Sequence, residues 1–280
     1  MFYLCNFLNN NYKAKKLLSL LAVGTSQVVL SFEALKSAKF LIPNIEEQNK
    51  IAEFLSLVDK RIDKQRQLVE NLKKYKRGLL SAIFERKIRF KNDNGNDYPE
   101  WKKTPLGSIF NERTARADGN EELLAVTINE GIKKRNEIDL KDNSSDDKSN
   151  YKKVYIGDIA YNTMRMWQGA SGVSKYNGIV SPAYTVIFPS SEIDIEFFGY
   201  YFKYIKVIQI FQKFSQGLTS DTWNLKFPQF AEINLYLPSI NEQKRIATFL
   251  KSFDNKILNE EAFLNNLTKK KRGLLQQMFI

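Results

Sequence analysis

Between Tyr161 and Gly169 the chain reads Tyr-Asn-Thr-Met-Arg-Met-Trp-Gln-Gly, a concentration of side chains able to read the edges of bases. An arginine can hold guanine through two hydrogen bonds, and an asparagine or glutamine can hold adenine in the same way. Asn162, Arg165 and Gln168 are therefore candidate base readers, with Trp167 as their aromatic neighbour. An extended chain would put Tyr161, Thr163, Arg165 and Trp167 on one face and Asn162, Met164 and Met166 on the other. The alternative is an ordinary sheet strand with one snorkelling arginine. Lys133, Lys134 and Arg135 form a second candidate, suited to phosphate contact rather than base reading. A third is the loop from Gln216 to Asp221, where Thr219 and Ser220 supply short donors and acceptors.

Other chemistries are excluded by composition. The sequence has no histidine and one cysteine, Cys5, so neither a Ser-His-Asp nor a Cys-His nucleophile can be assembled from it, nor a usual Cys/His zinc site. It contains no Gly-x-x-x-x-Gly-Lys phosphate loop and no Gly-x-Gly-x-x-Gly cofactor turn, so no cofactor is expected. Acidic residues are plentiful but fall in no recognisable catalytic arrangement. With 43 Lys and Arg against 31 Asp and Glu the formal charge is +12, which favours a polyanionic partner. The 43% hydrophobic content is enough for a folded core. Lys13, Lys15 and Lys16 before an apolar stretch mimic a short signal peptide, but the stretch falls well below the ~18 residues of a membrane span. A cytoplasmic protein is expected.

The elements that position these candidates are set by a duplication. Residues 42–84 recur as residues 237–279 without a gap, with Pro43/Pro238, Glu47/Glu242, Gln48/Gln243, Asp59/Asp254 and the run Lys76-Arg77-Gly78-Leu79-Leu80 matched by Lys271-Arg272-Gly273-Leu274-Leu275. Each copy opens on a helix-start pattern, Asn44 to Glu47 and Ser239 to Glu242, in which the capping side chain precedes a Glu able to return the bond. Apolar residues then follow alternating steps of four and three, through Leu55, Val58, Ile62 and Leu72 in one copy and Leu250, Phe253, Ile257 and Leu267 in the other. Gln65 and Lys76, and likewise Glu260 and Lys271, interrupt the seam at matching places. The spacing predicts two long helices, each roughly 60 Å, that pair as an antiparallel coiled coil about a pseudo-twofold axis. Gly78 and Gly273 each cost such a helix about 1 kcal/mol relative to Ala, which points to a close backbone approach at the crossing or beneath a partner protein. The basic runs Lys73 to Arg77 and Lys269 to Arg272 either touch phosphate or complement helix C-terminal dipoles.

The polar stretch 91–97, Lys-Asn-Asp-Asn-Gly-Asn-Asp, separates the first helix from a domain over 98–237. Tyr155 to Tyr161 and Ala183 to Phe188 read as strands, Ile195 to Phe214 as one aromatic-rich helix, and Lys141 to Asn150 as a polar loop. The expected class is α+β, with a mixed α/β domain carrying a curved sheet and flanked by the two long helices.

This arrangement resembles the DNA-specificity subunit of type I restriction-modification systems. The resemblance rests on Ile42 to Gln48 with Ile51-Ala52, on Leu237 to Gln243 with Ile246-Ala247, and on the Lys-Arg-Gly-Leu-Leu ends. It extends to Gly157 through Gly169 and to Ser181-Pro182-Ala183-Tyr184, which look like that family's target-recognition domain. It implies a non-catalytic subunit that binds double-stranded DNA. Each recognition domain would read half of a bipartite site, the paired helices would act as a ruler, and methyltransferase subunits, with a motor and nuclease subunit for cleavage, would join it. Two recognition domains are usual in such proteins. Here residues 1–42 resemble only the end of one: Phe2 and Phe7 fall at the offset of Phe197 and Phe202, and Gly24-Thr25-Ser26 parallels Gly217 to Ser220. Residues 43–90 and 238–280 are the two conserved helices. A truncated coiled-coil protein that binds methyltransferase subunits without reading DNA, and two chains associating through their helices, are the competing expectations.

Overall fold

A computed structural model describes residues 1–23, 29–119, 121–128, 131–138 and 144–279. Gly24-Thr25-Ser26 and the start of the polar loop at Lys141 lie outside them. Among the described residues no helix is long and apolar enough to cross a membrane.

In chain order the structure opens with α1 (Phe2–Asn10), α2 (Tyr12–Leu21), α3 (Phe32–Ser37) and the long α4 (Ile45–Phe84). Strands β1 (Lys102–Pro105), β2 (Phe110–Glu112), β3 (Leu124–Thr127), β4 (Gly131–Lys134), β5 (Lys152–Val154), β6 (Ile159–Asn162), β7 (Ser171–Val173), β8 (Gly178–Val180) and β9 (Tyr184–Pro189) follow. The chain ends with α5 (Ile195–Tyr201), α6 (Ile205–Phe214), α7 (Phe227–Ala231), β10 (Asn234–Leu237) and the second long helix, α8 (Ile240–Met278). Two compact units result, Met1–Tyr75 with Asp254–Ile280, and Lys76–Phe253.

In the first unit the long helices pair antiparallel. The seam residues Leu55, Ile62, Val69 and Ile257 are buried, while Val58, Leu72 and Leu267 are half-buried. Seam interruptions meet polar partners: Gln65 Nε2 donates to Glu260 Oε2 at 2.6 Å and to the Glu260 carbonyl at 3.1 Å, and Lys271 pairs with Asp59. Lys73 adds an ion pair with Glu261 at 2.6 Å. Neither Gly78 nor Gly273 has an atom of this chain within 4 Å of where a Cβ would stand, so close backbone approach at the crossing of the two helices does not explain them. Helices α1 and α2 close over one end of the pair, where Tyr3, Phe7, Ala14, Leu55 and Phe279 form a small core. Several repeat-related positions differ in burial. Phe2 is 42% exposed and Ile42 49%, against 0% for Phe197 and 7% for Leu237.

The second unit is built around the antiparallel sheet β2-β9-β6-β7. Phe110, Phe197, Phe198, Phe202, Phe211 and Phe230 pack beside it, with Ile83 and Phe84 from the end of α4 and Ile246, Ala247 and Leu250 from the start of α8. Hairpin β3-β4 and pair β5-β8 enclose a second core of Leu124, Val126, Ile132, Val154 and Val180. Gly131 and Gly172 allow β4 to cross β7, since a Cβ on Gly172 would lie 2.7 Å from the Gly131 Cα. Strand β10 leads into α8 and is paired with β1, Lys102 opposite Leu237. Residues 91–97 fold into a tight turn: Lys91 bridges Asp97, the Asn92 Oδ1 accepts from the Asn94 and Asn96 amides, and Gly95 takes φ 78°.

Three expectations are corrected here. The aromatic stretch 195–214 is two helices rather than one, broken at Phe202 to Tyr204. The break sends the Tyr204 hydroxyl to Glu85 Oε1 at 3.2 Å and the Lys203 ammonium to the Ile128 carbonyl at 2.8 Å. Strand β6 begins only at Ile159, because residues 155–158 turn around Gly157 with φ 89°. The capping pattern of α8 is half realised: Ser239 Oγ accepts from the Glu242 amide at 3.5 Å, but the buried Glu242 carboxylate turns to Arg89, at 2.9 Å. Gln243 tethers the helix start in another way, donating to the Pro238 carbonyl and accepting from the Asp194 amide.

Candidate nucleic-acid interface

The stretch 161–169 is a strand end and a turn, not the extended run its alternation suggested. Strand β6 stops at Asn162, whose Oδ1 accepts from the Met164 amide at 3.0 Å and whose carbonyl accepts from the Arg165 amide at 3.1 Å. Such an Asx turn competes successfully with strand continuation because it satisfies the same backbone donors locally. A short 3-10 turn over Met166–Gln168 follows, ended by Gly169 in a left-handed conformation at φ 81°. Met166 is driven into the core while Arg165 is exposed, with its Nη1 3.4 Å from Gln168 Oε1. The Trp167 indole donates to the Met164 carbonyl at 3.0 Å.

A second loop joins this one. The Leu225 amide donates to the Thr163 carbonyl at 2.9 Å, and Trp223 meets Trp167 edge-to-face at 5.3 Å between ring centroids. Asn162, Arg165, Trp167 and Gln168 are thereby brought beside the loop carrying Thr219 and Ser220, both exposed. Thr219 is partly used in holding that loop, since its amide donates to Thr222 Oγ1 at 3.1 Å.

Lys203 ties the first loop to hairpin β3-β4. Its ammonium donates to the carbonyls of Gly169 and Ile128, and burial lowers its pKa to about 8. The basic run Lys133 to Arg135 sits towards the other end of that hairpin, with Lys133 opposite Ala125 and Lys134 opposite Leu124. Lys134 lies 3.5 Å from Glu122 and over the Tyr176 ring, and Arg135 donates to the Ile138 carbonyl. These contacts hold Lys134 and Arg135 within the domain, apart from the Arg165 loop. Lys203 and Trp223 carried no signal in the sequence as site residues, because their relevance comes from chain segments that meet only on folding.

At the other end of β6 from Asn162, Arg113 braces the sheet through a two-pronged contact with Asp158 at 2.7 and 2.8 Å. Its guanidinium lies over the rings of Tyr155 and Phe188, and its pKa is raised chiefly by the hydrogen bonds it donates to the Asp158 carboxylate. No group of three or more Cys, His, Asp or Glu side chains that could hold a metal ion occurs among the described residues.

The model of the type I restriction modification DNA specificity domain matches residues 2–74 and 98–269. The chain belongs to this family. Specificity domains of known structure share its fold: the S subunit of a type I restriction-modification system from M. genitalium superposes with a TM-score of 0.56 at 18% identity, over 99% of this chain and 72% of that one. The HsdS subunit of Thermoanaerobacter tengcongensis gives 0.55 at 15% identity, over 99% and 68%. Among specificity-domain relatives, the MjaVIII specificity subunit of Methanocaldococcus jannaschii is 36% identical over 80 residues, 29% of this chain and 19% of that protein. The putative MjaX specificity subunit of the same organism is 24% identical over 98% of this chain and 66% of its own length. The chain thus spans less than two thirds of either curated relative.

Proposed function

We propose that this chain is a non-catalytic, cytoplasmic DNA-recognition subunit of a type I modification and restriction complex. Its Lys76–Phe253 unit reads one half of a split sequence in double-stranded DNA, and its helix pair sets the spacing and carries methyltransferase subunits, with a motor and nuclease subunit joining for cleavage. The reading is carried by the convergence of Arg165 and Gln168 with the Thr219-Ser220 loop, fastened by the Trp167–Trp223 contact. Two loops holding paired hydrogen-bonding side chains at one edge supply what direct reading of bases in a major groove requires. Other features that support it are the family, the formal charge of +12 and the antiparallel helices.

The test is selection from a random duplex library at two salt concentrations, with the methyltransferase subunit present. An enriched motif whose affinity falls with salt is the expected result. Absence of any enriched motif defeats the reading.

A second reading is an interaction protein that occupies methyltransferase subunits without reading DNA. It draws on the exposure of Phe2 and Ile42 at positions whose repeat counterparts are the buried Phe197 and Leu237. Co-purification with the methyltransferase subunit without sequence-specific methylation supports this second reading, and restored methylation removes it.

A further inference from the structure

Leu218 is 102% exposed, a whole apolar side chain held out into solvent. The loop that carries it is fixed rather than loose. Gln216 and Asn224 exchange two backbone hydrogen bonds at 2.9 and 2.8 Å across its base. Inside it, the amides of Thr222 and Trp223 donate to the Thr219 carbonyl at 3.0 and 3.1 Å. Gly217 turns the chain at φ 139°, where a Cβ would lie 2.6 Å from the Thr222 carbonyl oxygen. Leu218 is therefore presented at a defined place, next to the loop of Arg165 through the Trp167–Trp223 and Leu225–Thr163 contacts. Met164, 47% exposed, extends the apolar surface on the neighbouring loop.

Leu218 and the exposed part of Met164, set among Gln216, Thr219, Ser220 and Asp221, are too small an apolar surface to hold a protein partner. Against the edges of a base pair it has one apolar counterpart, since the major groove offers a single such feature, the methyl group at C5 of a pyrimidine. Arg165, exposed on the adjoining loop, is suited to guanine in that groove.

We infer that Leu218 reads the 5-methyl group of a pyrimidine, thymine or 5-methylcytosine, beside the base read by Arg165. The inference rests on the proposed role in DNA recognition and names one of its specificity-determining contacts. Leu218 excludes water from the methyl group, while Arg165 and Gln168 supply the polar half of the same reading surface.

The experiment is selection by the complex of this chain with its methyltransferase subunit from random duplex libraries made with thymine, with uracil in place of thymine, and with 5-methylcytosine in place of cytosine. Wild type should enrich a motif holding one position where loss of the methyl group weakens binding about fourfold. The uracil library identifies thymine as the methyl source and the cytosine pair of libraries identifies 5-methylcytosine. Leu218→Ala should bind the methylated and unmethylated forms equally, and Arg165→Ala should keep the methyl preference while losing its own base. Because Leu218 touches no core, its truncation leaves folding intact, which a matching thermal midpoint verifies. An enriched motif with no methyl-sensitive position, or a methyl preference that survives Leu218→Ala, overturns this inference while sparing the function. Absence of any enriched motif overturns both.

Discussion

Gln65 and Glu260, 195 residues apart and equivalent in the duplicated sequence, hydrogen-bond to each other at 2.6 Å. A position that meets its own counterpart lies at the pseudo-twofold axis of the antiparallel pairing between α4 and α8. The polar interruption of the seam is thus paired across that axis, and the two members differ so that one donates and the other accepts. Gln65→Glu sets two carboxylates together and should lower stability by about 1–3 kcal/mol. Exchanging the two residues, Gln65→Glu with Glu260→Gln, should recover most of it, because the axis makes the sites interchangeable. Urea unfolding of the three variants measures both effects.

Arg165→Ala should relax preference at one base pair, at a cost of about 1–3 kcal/mol. Lys133→Ala should weaken all sequences alike and reduce the salt slope by about one. Competition titrations against single-base variants of the selected motif distinguish the two. Uniform weakening by both substitutions removes Arg165 as a base reader.

Lys203 has a pKa lowered to about 8 by burial between the Arg165 loop and hairpin β3-β4. The folded protein therefore holds this proton less firmly than the unfolded chain. The resulting penalty is present below about pH 8 and relieved as pH rises towards the ordinary lysine value, so this group alone makes stability increase over that window. Lys203→Met should remove that increase, read as the change in urea midpoint between pH 7.5 and 10 relative to wild type.

Glu85 has its carboxyl pKa lowered to about 2, chiefly by hydrogen bonds from Lys206 and Lys87, with a smaller one from Tyr204. A depressed acid contributes stability above its unfolded value, and that contribution disappears as pH falls from about 4.5 towards 2. Glu85→Gln should flatten this part of the acid limb, observed by thermal melts from pH 5 to pH 2.5.

Gly78 and Gly273 stand in helices with open space where their side chains would be. Alanine at either should stabilise the isolated chain by about 1 kcal/mol. If the methyltransferase subunit lies over these positions, the same substitutions should weaken its binding, which titration calorimetry against that subunit reads.

The paired helices were legible in the sequence because a coiled-coil seam is written in local spacing. Apolar residues every three or four positions fix which face is buried, and the matched interruptions at Gln65 and Glu260 fix the register. The α+β class followed from the same reading of alternating and helical stretches. Other features were decided by competing contacts, one local and the others distant in the sequence. Asn162 ended its strand because an Asx turn satisfied the backbone better than continued pairing, and residues 202–204 broke the aromatic helix where Lys203 and Tyr204 gained partners from distant segments. Glu242 abandoned its cap for Arg89, a residue 153 positions away. Residue types alone named Arg165, Gln168 and Thr219 as possible readers of bases. That the two loops carrying them meet depends on Trp167 packing on Trp223 and on Leu225 bonding to Thr163, contacts between segments whose separation no local periodicity encodes.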